Sequence, residues 1–94
     1  MPRLAWHSSF RRAFKRKTRK NPHLQERILE TLKRLTEDMF DPRLKTHKLQ
    51  GQLAGLWACW VAYDCRIVFA LEPDPQADEN MIVLVDIGTH EEVY

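Results

Sequence analysis

The spacing of hydrophobic positions changes character along the chain, and the changes mark the elements. Residues 2–6 place Leu4 and Trp6 two apart, which predicts a short strand. Ser8 and Ser9 suit a helix N-cap. Phe10, Ala13 and Phe14 follow at i, i+3, i+4, so a helix is predicted to about Lys20. Asn21-Pro22 breaks it and opens a second helix, since proline fits the first helical position. Leu24, Ile28, Leu32, Leu35 and Met39 recur at spacings of four, four, three and four. That long apolar stripe predicts a helix running to Asp41-Pro42.

Residues 43–52 read as a basic loop ending near Gly51, and β patterning begins at Leu53. Residues 56–62 and 65–72 read as strands, with Tyr63-Asp64 as a tight turn or bulge between them. Residues 73–80 are a polar loop with two prolines. Residues 81–87 form a nearly continuous apolar run, the pattern of a central strand, which Gly88 ends before residues 89–94 close the chain. The order is β-α-α-β-β-β. It predicts an α+β fold in which a helix hairpin packs on one face of a mainly antiparallel sheet. At 94 residues, with no repeat and no linker, the chain is expected to form one domain.

Composition narrows the class. With 44% hydrophobic and 30% charged residues the chain is expected to fold rather than stay disordered. No apolar run approaches the roughly 18 residues of a membrane span. The basic start lacks the apolar segment of a signal peptide, so a cytoplasmic protein with no membrane partner is expected. In a reducing compartment Cys59 and Cys65 are expected to be small, half-buried strand residues rather than a disulfide. Two cysteines give no zinc-site spacing, and neither metal nor cofactor is expected.

Charge is distributed unevenly. Residues 1–50 hold fourteen Lys and Arg against five acids (+9), whereas residues 51–94 hold one Arg against eight acids (−7). Arg11, Arg12, Lys15, Arg16, Lys17, Arg19 and Lys20 share the first helix with no acid among them to pair at i,i+4. With Lys45 and Lys48 in the basic loop, they form a candidate surface for RNA and the ribosome. A pair of solvated cationic helices is the plainer alternative.

Four segments in order resemble the RelE/YafQ toxins of the RelE/ParE superfamily: His47-Lys48-Leu49-Gln50-Gly51, Leu56-Trp57, 63–69 (YDCRIVF) and 87–94 (IGTHEEVY). The resemblance spans essentially the whole chain and implies a RelE-like, microbial-RNase-like fold. It also implies the toxin of a type II toxin–antitoxin pair that enters the ribosomal A site, cleaves the mRNA there and so inhibits translation. The implied partners are ribosomal RNA, mRNA and a cognate antitoxin, with operator DNA reached only through the antitoxin. By this resemblance His47, Asp64, His90 and Tyr94 match the YafQ branch, and Arg66 matches the strand arginine of RelE. The chain departs from the pattern where RelE carries two strand lysines. Ala58 and Trp60 stand there, so one expected acid/base or phosphate-binding group is missing.

Metal-free RNA cleavage needs a base for the 2′-hydroxyl, an acid for the departing 5′-oxygen and positive charge at the phosphorane. Histidines titrating near neutrality can serve as either. The expected catalytic set is therefore His47 and His90 as the acid/base pair and Arg66 on the phosphorane. Asp64 would orient a histidine or the 2′-hydroxyl, and Tyr94 would stack on the scissile nucleotide. Which histidine is base is left open. Of Trp57 and Trp60, three apart, one is expected in the core and the other against RNA or an antitoxin. Two rivals share the residues: a ParE-like gyrase inhibitor of the same fold, and a non-catalytic ribosome- or RNA-binding module.

Overall fold

The computed structural model describes residues 1–89. The elements run β1 (Leu4–Trp6), α1 (Ser8–Thr18), α2 (Pro22–Glu37), a 3₁₀ turn (Pro42–Leu44), β2 (His47–Lys48), a second 3₁₀ turn (Gly51–Leu53), β3 (Trp57–Ala62), β4 (Cys65–Pro73) and β5 (Asn80–Gly88). The strands form one sheet in the order β1-β5-β4-β3-β2. Among the described residues β1 and β5 pair in parallel and the other pairings are antiparallel. The α+β architecture of the sequence is present, with a two-residue strand added inside the segment expected to be a loop.

Both helices cover one face. Phe10 and Ala13 of α1 and Ile28, Leu32 and Leu35 of α2 pack with Cys59, Val61, Ile67, Phe69, Ile82, Leu84 and Ile87. Trp6 meets Phe10 and Phe14 edge-on at 4.9 and 5.2 Å, which pins α1 over β1. Leu84 and Ile87 lie three apart yet enter the same core. A bulge allows it: Phe69 pairs with Leu84 while its neighbour Val68 pairs with Asp86, leaving Val85 as the extra residue. The opposite face carries a smaller cluster of Leu49, Ala58 and Val68, with Leu53, Leu56 and Val85 against it.

Three boundaries differ from the sequence reading, each for a local reason. The N-cap of α1 is His7, whose Nδ1 accepts from the Ser9 amide, while Ser9 Oγ donates to the Val85 carbonyl and ties the helix start to β5. The end of α1 falls at Thr18, because Lys20 adopts a left-handed φ of 61° that no helix continues through. Glu37 ends α2 because the Asp38 carboxylate accepts from the Phe40 amide and turns the chain. Met39 still packs on the core, but from the turn beyond the helix. At the far end, Arg3 grips the buried Asp74 with two bonds of 2.7 and 2.8 Å, holding β1 to the β4–β5 loop.

The cysteines are free and buried rather than half-buried. Burial pushes the Cys59 thiol up to about 12, with Cys65 adding to it, and the Cys65 thiol up to about 11. Alkylation of the native chain at pH 8 should therefore be roughly a hundredfold or more slower than after unfolding, as mass spectrometry of timed quenches would report. Phe69→Ala should cost about 3–5 kcal/mol in denaturant unfolding. The Arg3 bonds hold the Asp74 carboxyl below the usual carboxylate range. Its stabilisation is present above that range and is lost as pH falls through the lowered value. Asp74→Asn should flatten the acid limb of a melting-temperature profile and lower the neutral-pH plateau.

Candidate active site

Strand alternation sorts the site residues by face. Cys59 and Val61 of β3 and Cys65, Ile67 and Phe69 of β4 enter the helix-side core, so Trp60 and Arg66 point to the other face. Trp60 and Arg66 are register partners, and Arg66 is paired on its other side with Gly88. In the next row along the same face lie His47, Ala58, Val68 and Asp86. His47 and Arg66 therefore share one open surface, two strands apart and two residues out of step. At about 4.8 Å per strand and 3.3 Å per residue, long side chains can span that separation to one phosphodiester.

The His47 ring is fixed from beneath. Its Nδ1 lies 2.8 Å from the Lys45 carbonyl, which can only accept, so Nδ1 carries the proton and the neutral ring has its lone pair on Nε2. Lys45 itself sits in the left-handed region (φ 50°) after the first 3₁₀ turn. Its ammonium lies 5.2 Å from the centre of the Trp60 ring. Arg27, reaching from α2, donates to the Val61 carbonyl at 3.0 Å and places its guanidinium 6.0 Å from the same ring. Because β2 ends after two residues, that stretch of β3 is a sheet edge, and Arg27 supplies the donor that a longer strand would have given.

Arg66 is turned toward the β3–β4 turn. Its Nη1 donates to the carbonyls of Ala62, Tyr63 and Cys65 at 2.6, 3.1 and 3.2 Å. The sequence offered phosphate binding or a plain surface cation; the structure adds a turn-holding role that uses one nitrogen of the three. Asp64 sits at the tip of that turn, exposed, and lines a hollow with Arg27 and Trp60. From Ala58, the partner of His47, to Tyr63 is five residues of chain, roughly 16 Å. Asp64 thus follows the opposite end of β3 from Ala58, the residue that His47 pairs with. His90 and Tyr94 lie outside the described residues.

The cations of α1 are on the helix layer, behind the sheet face that carries His47. Arg11, Arg12, Lys15, Arg16, Arg19 and Lys20 are exposed, and Arg11 lies 5.9 Å from the Trp6 ring. Lys17, in the last turn, joins Arg66 and Arg27 in acting electrostatically on Cys65, so α1 ends beside the β3–β4 turn. Lys48 also faces away from His47: its ammonium is 5.4 Å from Trp57, which packs on the helix-side core against Phe69 and Phe40. Trp57 is thus the core tryptophan of the pair. No group of three or more metal-ligating side chains occurs among the described residues.

A family model described as the bacterial toxin of type II toxin–antitoxin systems, YafQ, matches residues 2–94. The chain belongs to the YafQ toxin family. No curated protein matches it. Solved structures share the fold. The YoeB/ParE toxin from Agrobacterium tumefaciens has a TM-score of 0.76 at 18% identity, covering 94% of this chain and 98% of that one. The YoeB–YefM complex from Staphylococcus aureus gives 0.71 at 18%, covering 96% and 98%. YafQ from E. coli strain BL21(DE3) gives 0.64 at 17%, covering 100% and 99%.

Two features of this YafQ-family chain escaped the sequence. Asp86 stands on the same face as Arg66, and its being the one charge in the run 81–87 was the available signal. The cluster of Arg27 and Lys45 on Trp60 had none, since the three residues are remote in sequence. Arg66→Lys should keep the charge but lose the fixed fork that spans the turn carbonyls. It should lower unfolding stability by about 1 kcal/mol, measured by denaturant titration. An unchanged midpoint would show the turn bonds to be idle.

Proposed function

We propose that this YafQ-family toxin is a ribosome-dependent endoribonuclease that cleaves mRNA in the A site by metal-free acid/base chemistry and so inhibits translation. The observation that carries the reading is the fixed tautomer of His47 on a sheet face shared with Arg66. His47 Nε2 accepts the 2′-hydroxyl proton, and the 2′-oxygen attacks the adjacent phosphorus. The Arg66 nitrogens that the turn carbonyls leave over, with Lys45 nearby, stabilise the phosphorane. His90, two residues after the Gly88 that pairs with Arg66, protonates the departing 5′-oxygen. Tyr94 stacks on the scissile nucleotide. The products are a 2′,3′-cyclic phosphate and a 5′-hydroxyl, so atoms and protons balance.

The toxin acts in the cytoplasm and is restrained by a cognate antitoxin, through which operator DNA is reached. The description of the matching family and the YoeB–YefM assembly of the Staphylococcus aureus relative support that partner. The helix cations from Arg11 to Lys20 serve ribosomal RNA rather than the scissile phosphate, because they lie behind the sheet.

Purified chain, programmed ribosomes and primer extension test the proposal. His47→Ala and His90→Ala should each slow A-site cleavage by about 10²–10⁴-fold while ribosome binding persists. Intact mRNA together with inhibition of DNA supercoiling would overturn it in favour of a gyrase poison. Growth arrest undiminished in both histidine variants would point to a binding module.

A further inference from the structure

Beside the proposed cleavage face lies a hollow of about 480 Å³ that the reaction does not use. It opens between the start of α2 and the tip of the β3–β4 turn. Asn21, His23 and Arg27 line one side, and Trp60, Tyr63 and Asp64 the other. Tyr63 is 89% exposed, an aromatic ring presented to solvent at the mouth. Such a ring suits stacking of an unpaired base, whose π-face any aromatic can cover. Arg27 and Lys45 bring positive charge to the Trp60 wall, where a backbone phosphate can be met. Among the described residues no hydrogen-bond donor is placed on the Asp64 carboxylate, which acts electrostatically on Cys65 together with Lys17, Arg66 and Arg27.

We propose that this hollow is a subsite for one unpaired nucleobase of the RNA strand, with Tyr63 as stacking platform and Asp64 reading a guanine. An ionised carboxylate only accepts hydrogen bonds. Guanine alone offers two parallel donors, N1–H and the 2-amino group, on its pairing edge. Adenine and cytosine set one amino donor beside a ring acceptor, which a carboxylate repels. Uracil flanks its single N–H with two carbonyls. Arg66 joins the subsite to the cleavage face, because its guanidinium holds the carbonyls of Ala62 and Tyr63 while its strand position lies opposite Trp60. Asp64 is accordingly a specificity residue of this subsite.

This inference deepens the RNA-cleaving reading and rests on it, but its test requires no cleavage. Short single-stranded 2′-O-methyl RNAs, identical except for guanine, inosine or adenine at the central position, are titrated against the full chain by fluorescence anisotropy. Guanine should bind about tenfold more tightly than inosine, which lacks the 2-amino group, or adenine. Asp64→Asn should erase that preference, and Tyr63→Ala should weaken all three roughly tenfold while Tyr63→Phe does not. Circular dichroism melts confirm that the variants fold. Equal binding of the three RNAs, no binding of any, or a guanine preference that survives Asp64→Asn would overturn the subsite. A guanine preference in a chain that leaves mRNA intact on ribosomes would retain the subsite and remove the nuclease reading; cleavage without base preference would do the reverse.

Discussion

The alternation of β4 is the constraint on which the site depends. Ile67 and Phe69 are fully buried beneath the helices, so Arg66 and Val68 must emerge on the other face. A slip of one residue would drive the guanidinium into an apolar core and expose Phe69, a cost no local rearrangement recovers. The register is thus held by packing on one face while the other face inherits its chemistry. Arg66 contributes to its own placement: the bonds to the Ala62, Tyr63 and Cys65 carbonyls close the turn that sets the β3–β4 pairing.

The second constraint is the shortness of β2. Two residues suffice to present His47 beside Ala58, but among the described residues they leave the rest of the β3 edge without a strand partner. Arg27 takes the Val61 carbonyl, and with Lys45 it crowds cations around Trp60. The exposed edge that would otherwise invite strand pairing with another chain becomes a basic, aromatic-walled margin. The Lys45 backbone meanwhile fixes the His47 tautomer, so one residue in a left-handed conformation serves the histidine with its carbonyl and Trp60 with its ammonium.

The uneven charge of the chain is resolved in space. The basic N-terminal half supplies the helices and the β2 loop, and the acidic C-terminal half supplies most of the sheet. Arg66, the single cation of the acidic half, is met at the β3–β4 end by Lys17 from α1 and Arg27 from α2, which act with it on Cys65. The exposed cations of α1 are left to a surface behind the sheet.

Periodicity by itself determined the element order, the helix stripe from Leu24 to Leu35, the turn at Tyr63-Asp64 and the outward direction of Arg66, because burial on one face imposes a period that short-range sequence must carry. The helix ends were less legible. They follow from side chains that bond nearby backbone, such as His7 and Asp38, and from a left-handed Lys20, none of which leaves a hydrophobic trace. Only the tertiary structure decided which catalytic-type residues meet. His47 and Arg66 share a face because two strand pairings stand between them, and Asp64 follows the opposite end of β3 from the residue paired with His47. The cluster on Trp60 joins residues from α2, the loop before β2 and β3, and such long-range approach is set by how whole elements pack, which no local pattern encodes.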